Sequence, residues 1–295
     1  MKKFNKKGIF MLILLLTLSL IFVGCSSEET KVESNEGSQS TEKTAEGGLE
    51  GSVTLVGSTS VTPIAEAIGN AFMEENPNAK IEVQGVGSSA GIKATDDGSA
   101  DIGMSSRELK DEEKDLGIGE HIIAYDGIAV VVHPNNEVSD LTPEEIGQIY
   151  RGEITNWNKV GGADEEIEVI SREEGSGTRS AFEELMALES DQGSLVKQDA
   201  TFADGNGAIV SNVAQKENAI GYISLSYLDD TVKALTVNGM DPTVENIKSG
   251  DYAVSRPFLM LTKGEVSDAA QAYLDYVLSE EGQKIVEENG AISVN

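Results

Sequence analysis

From residue 52 onward the chain alternates two hydrophobic rhythms. Short runs rich in Val, Ile and Leu are separated by stretches in which apolar residues recur every three or four positions, the signatures of strands and of amphipathic helices. Residues 52–57 predict a strand, and PIAEAIGNAFMEENP at 63–77 predicts a helix closed by Pro77. Residues 80–87 and 100–104 predict two more strands, with a short helix at 90–97 between them and a polar helix at 109–116 after them. HIIAYDGIAVVVHP, from His121 to Pro134, is a longer apolar run of β-branched residues, which predicts a long strand.

The second part repeats the pattern. Thr142 stands as a cap before Pro143 and an apolar-periodic run that stops at Gly152, which predicts a helix with both ends marked. Residues 167–172 predict a strand, 179–188 a helix, 207–228 a helix and then a strand, and 257–263 a strand; residues 268–290 predict one long amphipathic helix. Strand, helix, strand with short connections indicates an α/β fold with mainly parallel sheets. Two long strands, near 121–133 and 253–262, suit crossovers between two lobes, which places residues 51–125 with 255–295 in one lobe and 126–254 in the other. A cleft between lobes is where ligands sit.

The first residues do not share this rhythm. MKKFNKKGIF carries four lysines and no acid, residues 9–23 are nearly all apolar, and Gly24 is small, the layout of a secretory signal at 1–24. A membrane-spanning anchor is the alternative, although about 15 apolar residues fall short of the roughly 20 a span needs. Cys25 is the single cysteine, so no disulfide forms within the chain. Phe22-Val-Gly-Cys25 resembles a bacterial lipobox, which implies acylation of Cys25 and attachment to the membrane through lipid. Residues 26–50 are polar, rich in Ser, Glu and Gly, and read as a disordered tether.

Charge narrows the partners. The chain has 22 basic and 51 acidic residues, formal charge −29; removing the four leader lysines leaves 18 basic and a charge of −33. Nucleic acid is not expected as a partner, because that footprint is basic. No calcium-loop spacing or paired-histidine zinc spacing is present, and no metal or cofactor is expected.

Four predicted strand-to-helix loops share a composition: Gly57-Ser-Thr-Ser, Gly85-Val-Gly-Ser-Ser-Ala-Gly91, Asp101-Ile-Gly-Met-Ser-Ser-Arg107 and Arg172-Glu-Glu-Gly-Ser-Gly-Thr178. In an open α/β sheet such loops gather at the carboxyl ends of the strands. One hydroxyl before a helix is an ordinary cap, and Ser105 with Glu108 fits a capping box. Four such loops are more than caps: helix starts present free N–H groups and a positive dipole end, and glycines let an anion approach the backbone. Arg172 and Arg107 add fork-shaped donors suited to a tetrahedral oxyanion. Pairing of Arg172 with Glu173 or Glu174 is the plainer alternative.

VGSTSVTP, VQGVGSSAGI, ADIGMSSREL and SREEGSGTRSAF, in this order, resemble the phosphate-binding lipoproteins of ABC importers, the receptors of Pst-type uptake systems. The resemblance covers residues 51–295, including IYRGEITNW and GYISLSY. It implies a two-lobed, periplasmic-binding-protein-like fold of type II and a non-enzymatic receptor. That receptor delivers phosphate to permease subunits with a cytoplasmic ATPase, from the extracytoplasmic face of the membrane. Carried over by position, the ligand residues are Thr59, Ser60, Ser88, Asp101, Arg172, Ser176, Gly177 and Thr178, with Ser58, Ser106 and Arg107 as further candidates. Asp101 is expected to accept the proton that hydrogen phosphate retains and sulfate lacks, which would make it the selective group.

Rival readings are a receptor for sulfate, molybdate or a phosphonate, and a serine hydrolase using Ser89 in Gly87-Ser-Ser-Ala-Gly91, a G-x-S-x-G match. The hydrolase would need His121 or His133, both of which read as strand-end residues. Trp157 is expected as a turn-flanking surface aromatic or, alternatively, a platform for ligand.

Overall fold

The computed structural model describes residues 49–295 of the chain. Cys25, the leader and residues 26–48 of the tether lie outside the described residues.

Nine strands form the main sheet: β1 (Glu50–Gly57), β2 (Asn78–Gly85), β3 (Ile102–Ser105), β4 (Gly119–Val132), β5 (Glu168–Arg172), β6 (Thr201–Ala203), β7 (Ala219–Ser224), β8 (Lys233–Ala234) and β9 (Ser255–Thr262). Their order is β2-β1-β3-β9-β4-β7-β5-β6, with β8 pairing β4 beside that path. The outer pairs β1–β2, β1–β3, β7–β5 and β5–β6 are parallel. The central strands run against their neighbours: β9 is antiparallel to β3 and β4, and β7 is antiparallel to β4. The outer strands of each half are thus parallel, as expected, and the sheet as a whole is mixed.

The 14 residues of β4 serve two partners in turn. Gly119 to Gly127 pair with β9, whereas Ile128 to Val132 pair with β7. Two cores follow from this division. Val53, Leu55, Ile64, Ile68, Phe72, Ile102 and Phe258 pack in the first half. Ile128, Val130, Tyr150, Phe182, Tyr222 and Tyr252 pack in the second, where Phe182 stacks on Tyr222 with ring centroids 3.9 Å apart.

The helices are α1 (Thr62–Glu75), α2 (Ser88–Asp97), α3 (Asp111–Lys114), α4 (Pro143–Arg151), α5 (Gly177–Leu185), α6 (Asn206–Val213), α7 (Val244–Ser249), α8 (Asp268–Val277) and α9 (Glu280–Glu288). Helix α4 has the predicted ends: the Thr142 hydroxyl accepts from the Glu145 amide at 3.2 Å, and Gly152 closes it in the left-handed region at φ 77°. The polar helix expected at 109–116 shrinks to the single turn of α3, which buries no residue and so gains little from packing. The long helix expected at 268–290 is two helices. Ser279 breaks it by capping α9 through the Gly282 amide at 3.1 Å. Gly282 then lies so close to the end of α8 that a Cβ there would meet the Tyr276 carbonyl at 2.1 Å.

Candidate anion-binding site

Three loops of the first half are shaped by local chemistry. Strand β1 ends at Gly57, where φ is 147° and a Cβ would sit 2.1 Å from the Met104 carbonyl, so only glycine fits. The Ser58 hydroxyl then accepts from the Ser60 and Val61 amides, which commits it to the turn. Helix α2 starts against the same strands because Gly91 lies on them: a Cβ there would be 2.6 Å from the Val56 carbonyl. Its first residue, Ser88, is fully buried, and its hydroxyl accepts from the Ser106 amide at 3.1 Å. Ser105 caps no helix; its hydroxyl closes a turn by donating to the Arg107 carbonyl at 2.8 Å.

The second half meets these loops through α5. Ser176 caps it, accepting from the Arg179 amide at 3.2 Å. The amides of Gly177 and Thr178 are first-turn donors with no intrahelical acceptor, as is that of Ser88 on α2. Gly177 abuts the first half so tightly that a Cβ would lie 2.2 Å from the Ser88 hydroxyl and 2.7 Å from that of Ser106. The Ser60 and Thr178 hydroxyls bond each other at 2.9 Å, and the Ser89 amide donates to the Gly175 carbonyl at 3.2 Å. A cleft of about 570 Å³ opens beside this contact, lined in part by Ser89, Ser176, Arg179 and Glu183.

Arg172, at the end of β5, is 1% exposed. Its Nε and Nη2 fork onto the Glu173 carboxylate at 2.7 Å each, so the predicted ion pair exists, but as a buried one. The remaining donors reach further: Nη2 to the Thr59 hydroxyl of the first half at 3.0 Å, and Nη1 to Asn206 Oδ1 at 3.1 Å. Burial pushes the Glu173 carboxyl up, yet the bonds and charge of Arg172 outweigh this and hold it below the usual carboxylate range.

A second ion pair lies on the strands shared by the two halves. Asp126 of β4 and Arg256 of β9 are direct register partners, and Arg256 Nη2 and Nε donate to Asp126 Oδ2 at 2.9 and 3.2 Å. Asp126 also accepts from the Ser224 hydroxyl at 2.9 Å. Complete burial pushes the Asp126 carboxyl above its ordinary range against the pull of Arg256. The Ser60 hydroxyl, in addition to Thr178, receives Arg256 Nη2 at 3.1 Å and Asn206 Nδ2 at 3.0 Å, and Tyr227 donates to the Thr59 carbonyl at 3.0 Å.

Thr59, Ser60, Ser88, Ser106, Arg172, Gly177 and Thr178 therefore come together, with Ser58 and Ser176 holding the turns behind them. Asp101 does not join them. It is exposed at the amino end of β3, where its carboxylate accepts from the Thr54 amide at 2.8 Å. The cluster lies at the carboxyl end, five extended residues or roughly 16 Å further on, where Ser106 stands. Arg107 is buried but turned within its own half, forking onto Glu113 at 2.6 and 2.8 Å, with Nη2 also 3.3 Å from the Ser89 hydroxyl. Burial pushes the Glu113 carboxyl up, but Arg107 outweighs this and lowers it. Trp157 is neither platform nor surface aromatic: it is 1% exposed in the second core and donates to the Asn218 carbonyl at 3.0 Å.

Asp126, Arg256, Asn206, Ser224 and Tyr227 escape the sequence reading. The available signals were a lone acid inside IIAYDGIAVVV, a lone arginine opening RPFLML, and a fifth strand-to-helix loop at Asp204-Gly-Asn206. Charges within apolar runs are rare unless paired.

This geometry is that of a two-part α/β protein in which buried hydroxyls, two helix starts and Arg172 converge between the halves. A family model described as the PBP superfamily domain matches residues 37–281. Phosphate-binding protein PstS of Bacillus subtilis is 33% identical over 296 residues, covering 98% of this chain and 95% of its own length. A structure from Clostridium perfringens, described as a phosphate ABC transporter substrate-binding protein with bound phosphate, is 48% identical with a TM-score of 0.81. It covers 83% of this chain, and all of that chain is matched. An ABC-type phosphate transport receptor from Vibrio cholerae is 37% identical with a TM-score of 0.72, over 82% of this chain and all of its own. The chain belongs to the PBP superfamily and, within it, to the family of the phosphate-binding PstS proteins.

Proposed function

We propose that this protein captures inorganic phosphate outside the cytoplasm and hands it to the permease subunits of an ABC importer, without catalysing a reaction. The observation that carries the reading is that the start of α5 meets the start of α2 at Gly177 and Ser88, while Thr178 and the buried Arg172 reach Ser60 and Thr59. Two helix starts supply directed N–H donors and positive dipole ends, and a guanidinium supplies paired donors for a tetrahedral oxyanion. The C. perfringens neighbour, 48% identical and solved with phosphate, supports the choice of ligand.

Residues 51–125 with 255–295 form one lobe and 126–254 the other, and they close around the ligand. Lobe contacts such as Ser60–Thr178 and Thr59–Arg172 must part for phosphate to enter. Once the leader at 1–24 is removed, the acylated Cys25 holds the receptor at the outer face of the membrane through the tether that runs to residue 50. Among the described residues no helix is long and apolar enough to cross one. The hydrolase reading finds no support in the geometry: the Ser89 hydroxyl accepts from Arg107, His121 bonds Thr262, and His133 accepts from the Asn135 amide.

Calorimetry with phosphate, sulfate and molybdate at two pH values tests the reading. Phosphate is expected to bind most tightly, with weak dependence on ionic strength because the donors are buried and directed. A preference for sulfate or molybdate overturns it.

A further inference from the structure

Arg256 carries an unused donor at the centre of the cluster. The residue is 4% exposed, and its Nη1 is enclosed with no acceptor among the described residues. Arg107 Nε shares that condition, but both Nη atoms of Arg107 are taken by Glu113 in the first half. Arg256 differs in how its fork is divided. The side formed by Nε and Nη2 holds Asp126, while Nη2 also donates to Ser60. In a planar guanidinium the second Nη2 hydrogen and one Nη1 hydrogen point the same way, as an end-on fork. The unused Nη1 hydrogen therefore faces the direction of Ser60, whose hydroxyl meets Thr178 at the start of α5.

We propose that Arg256 is a second guanidinium ligand of the bound oxyanion, with Asp126 as the positioning residue that fixes its fork. This rests on the phosphate reading above. Arg256 stands on β9, paired to β4, which runs through both halves, whereas Arg172 belongs to the second half and Ser88 to the first. Bound phosphate then touches both halves and the strands between them. Because Asp126 balances its charge, Arg256 adds directed donors without adding net charge.

The test compares wild type, Arg256→Lys and the double variant Asp126→Asn/Arg256→Met, which leaves no lone buried charge. Arg256→Lys keeps the charge but not the fork, so phosphate affinity is expected to fall about tenfold; the double variant is expected to lose at least fiftyfold or so. Ligand-free melting temperature separates this from a merely structural role, which would shift melting and leave affinity within about threefold, overturning the inference. A crystal structure with phosphate decides independently of either variant's folding. An Nη1 to phosphate-oxygen distance near 3 Å supports the inference, and one beyond about 4 Å overturns it. If wild type prefers sulfate, the phosphate reading falls, and the same comparison made with sulfate still tests Arg256.

Discussion

Arg107 and Arg172 each stand at or just past the end of a strand, each is buried, and each forks onto a nearby carboxylate, yet they stand in regions built for different ends. Beyond Glu113, Arg107 donates to the Glu108 carbonyl and the Ser89 hydroxyl, all within the first half. Arg172, beyond Glu173, crosses to Thr59 and also holds Asn206. A buried arginine with a carboxylate partner is thus no mark of a binding site by itself. What distinguishes the two is where the remaining donors go. The first half brings hydroxyls and helix N–H groups to the interface; the second brings a guanidinium that spans it.

Arg172→Met should have the largest effect. Losing two charge-assisted bonds to a buried anion costs roughly 4 kcal/mol, on the order of a thousandfold in phosphate affinity by calorimetry. The same exchange at Arg107 is expected to cost less than about tenfold, because its donors serve the first half's own folding. Equal losses at the two positions would erase the distinction.

Gly177→Ala comes next, and it probes the interface rather than the charge. The added methyl would stand 2.2 Å from the Ser88 hydroxyl and 2.7 Å from that of Ser106. Overpacking of this kind typically costs about 1–3 kcal/mol, so affinity should drop roughly ten- to a hundredfold. The clash lies between the halves, so the ligand-free melting temperature should move little. Unchanged affinity would mean that the halves do not close this tightly around the ligand.

Acid should weaken both regions. Burial raises Glu113 and Glu173, but the bonds from Arg107 and Arg172 win, so both folded pKa values lie below their unfolded ones. That sign means their stabilisation is fully present above about pH 4.5 and is lost as pH falls through the folded values. Ligand-free melting followed from pH 7 downward should decline in that window, and Glu113→Gln or Glu173→Gln should each flatten the decline. A melting temperature that rises on acidification would reverse the assignment.

The strand-to-helix loops were legible in the sequence because their signals are local. Glycines and a hydroxyl just before a helix mark each loop by composition, even though the atoms that exclude a Cβ at Gly57, Gly91 and Gly177 belong to Met104, Val56 and Ser88, far along the chain. Pairings at long range were not legible. Asp126 and Arg256 are 130 residues apart and meet only through the antiparallel register of β4 and β9, although each stands out as a charge in an apolar run. The break at Ser279 was hidden for the opposite reason: the amphipathic pattern continues through it, and only packing of Gly282 on the end of α8 shows that the axis changes.

Asp101 offers the smallest expected effect and the cleanest check on strand polarity. ADIGMSSREL combines a predicted strand with a loop motif, and because β3 runs through it, Asp101 and Ser106 lie at opposite ends of that strand. The acid before the strand faces solvent, and Ser106 after it enters the cluster. Asp101→Asn keeps an acceptor for the Thr54 amide and touches nothing at the carboxyl end. Phosphate affinity and the phosphate-to-sulfate ratio should therefore stay within about twofold of wild type, since surface changes away from a site are near neutral. A tenfold fall in that ratio would return selectivity to Asp101. With no such change, Glu173 and Asp126 are the carboxylates paired with the two arginines of the cluster, each already accepting from its own. Discrimination would then rest on how those pairs hold their guanidinium forks and not on a free acceptor.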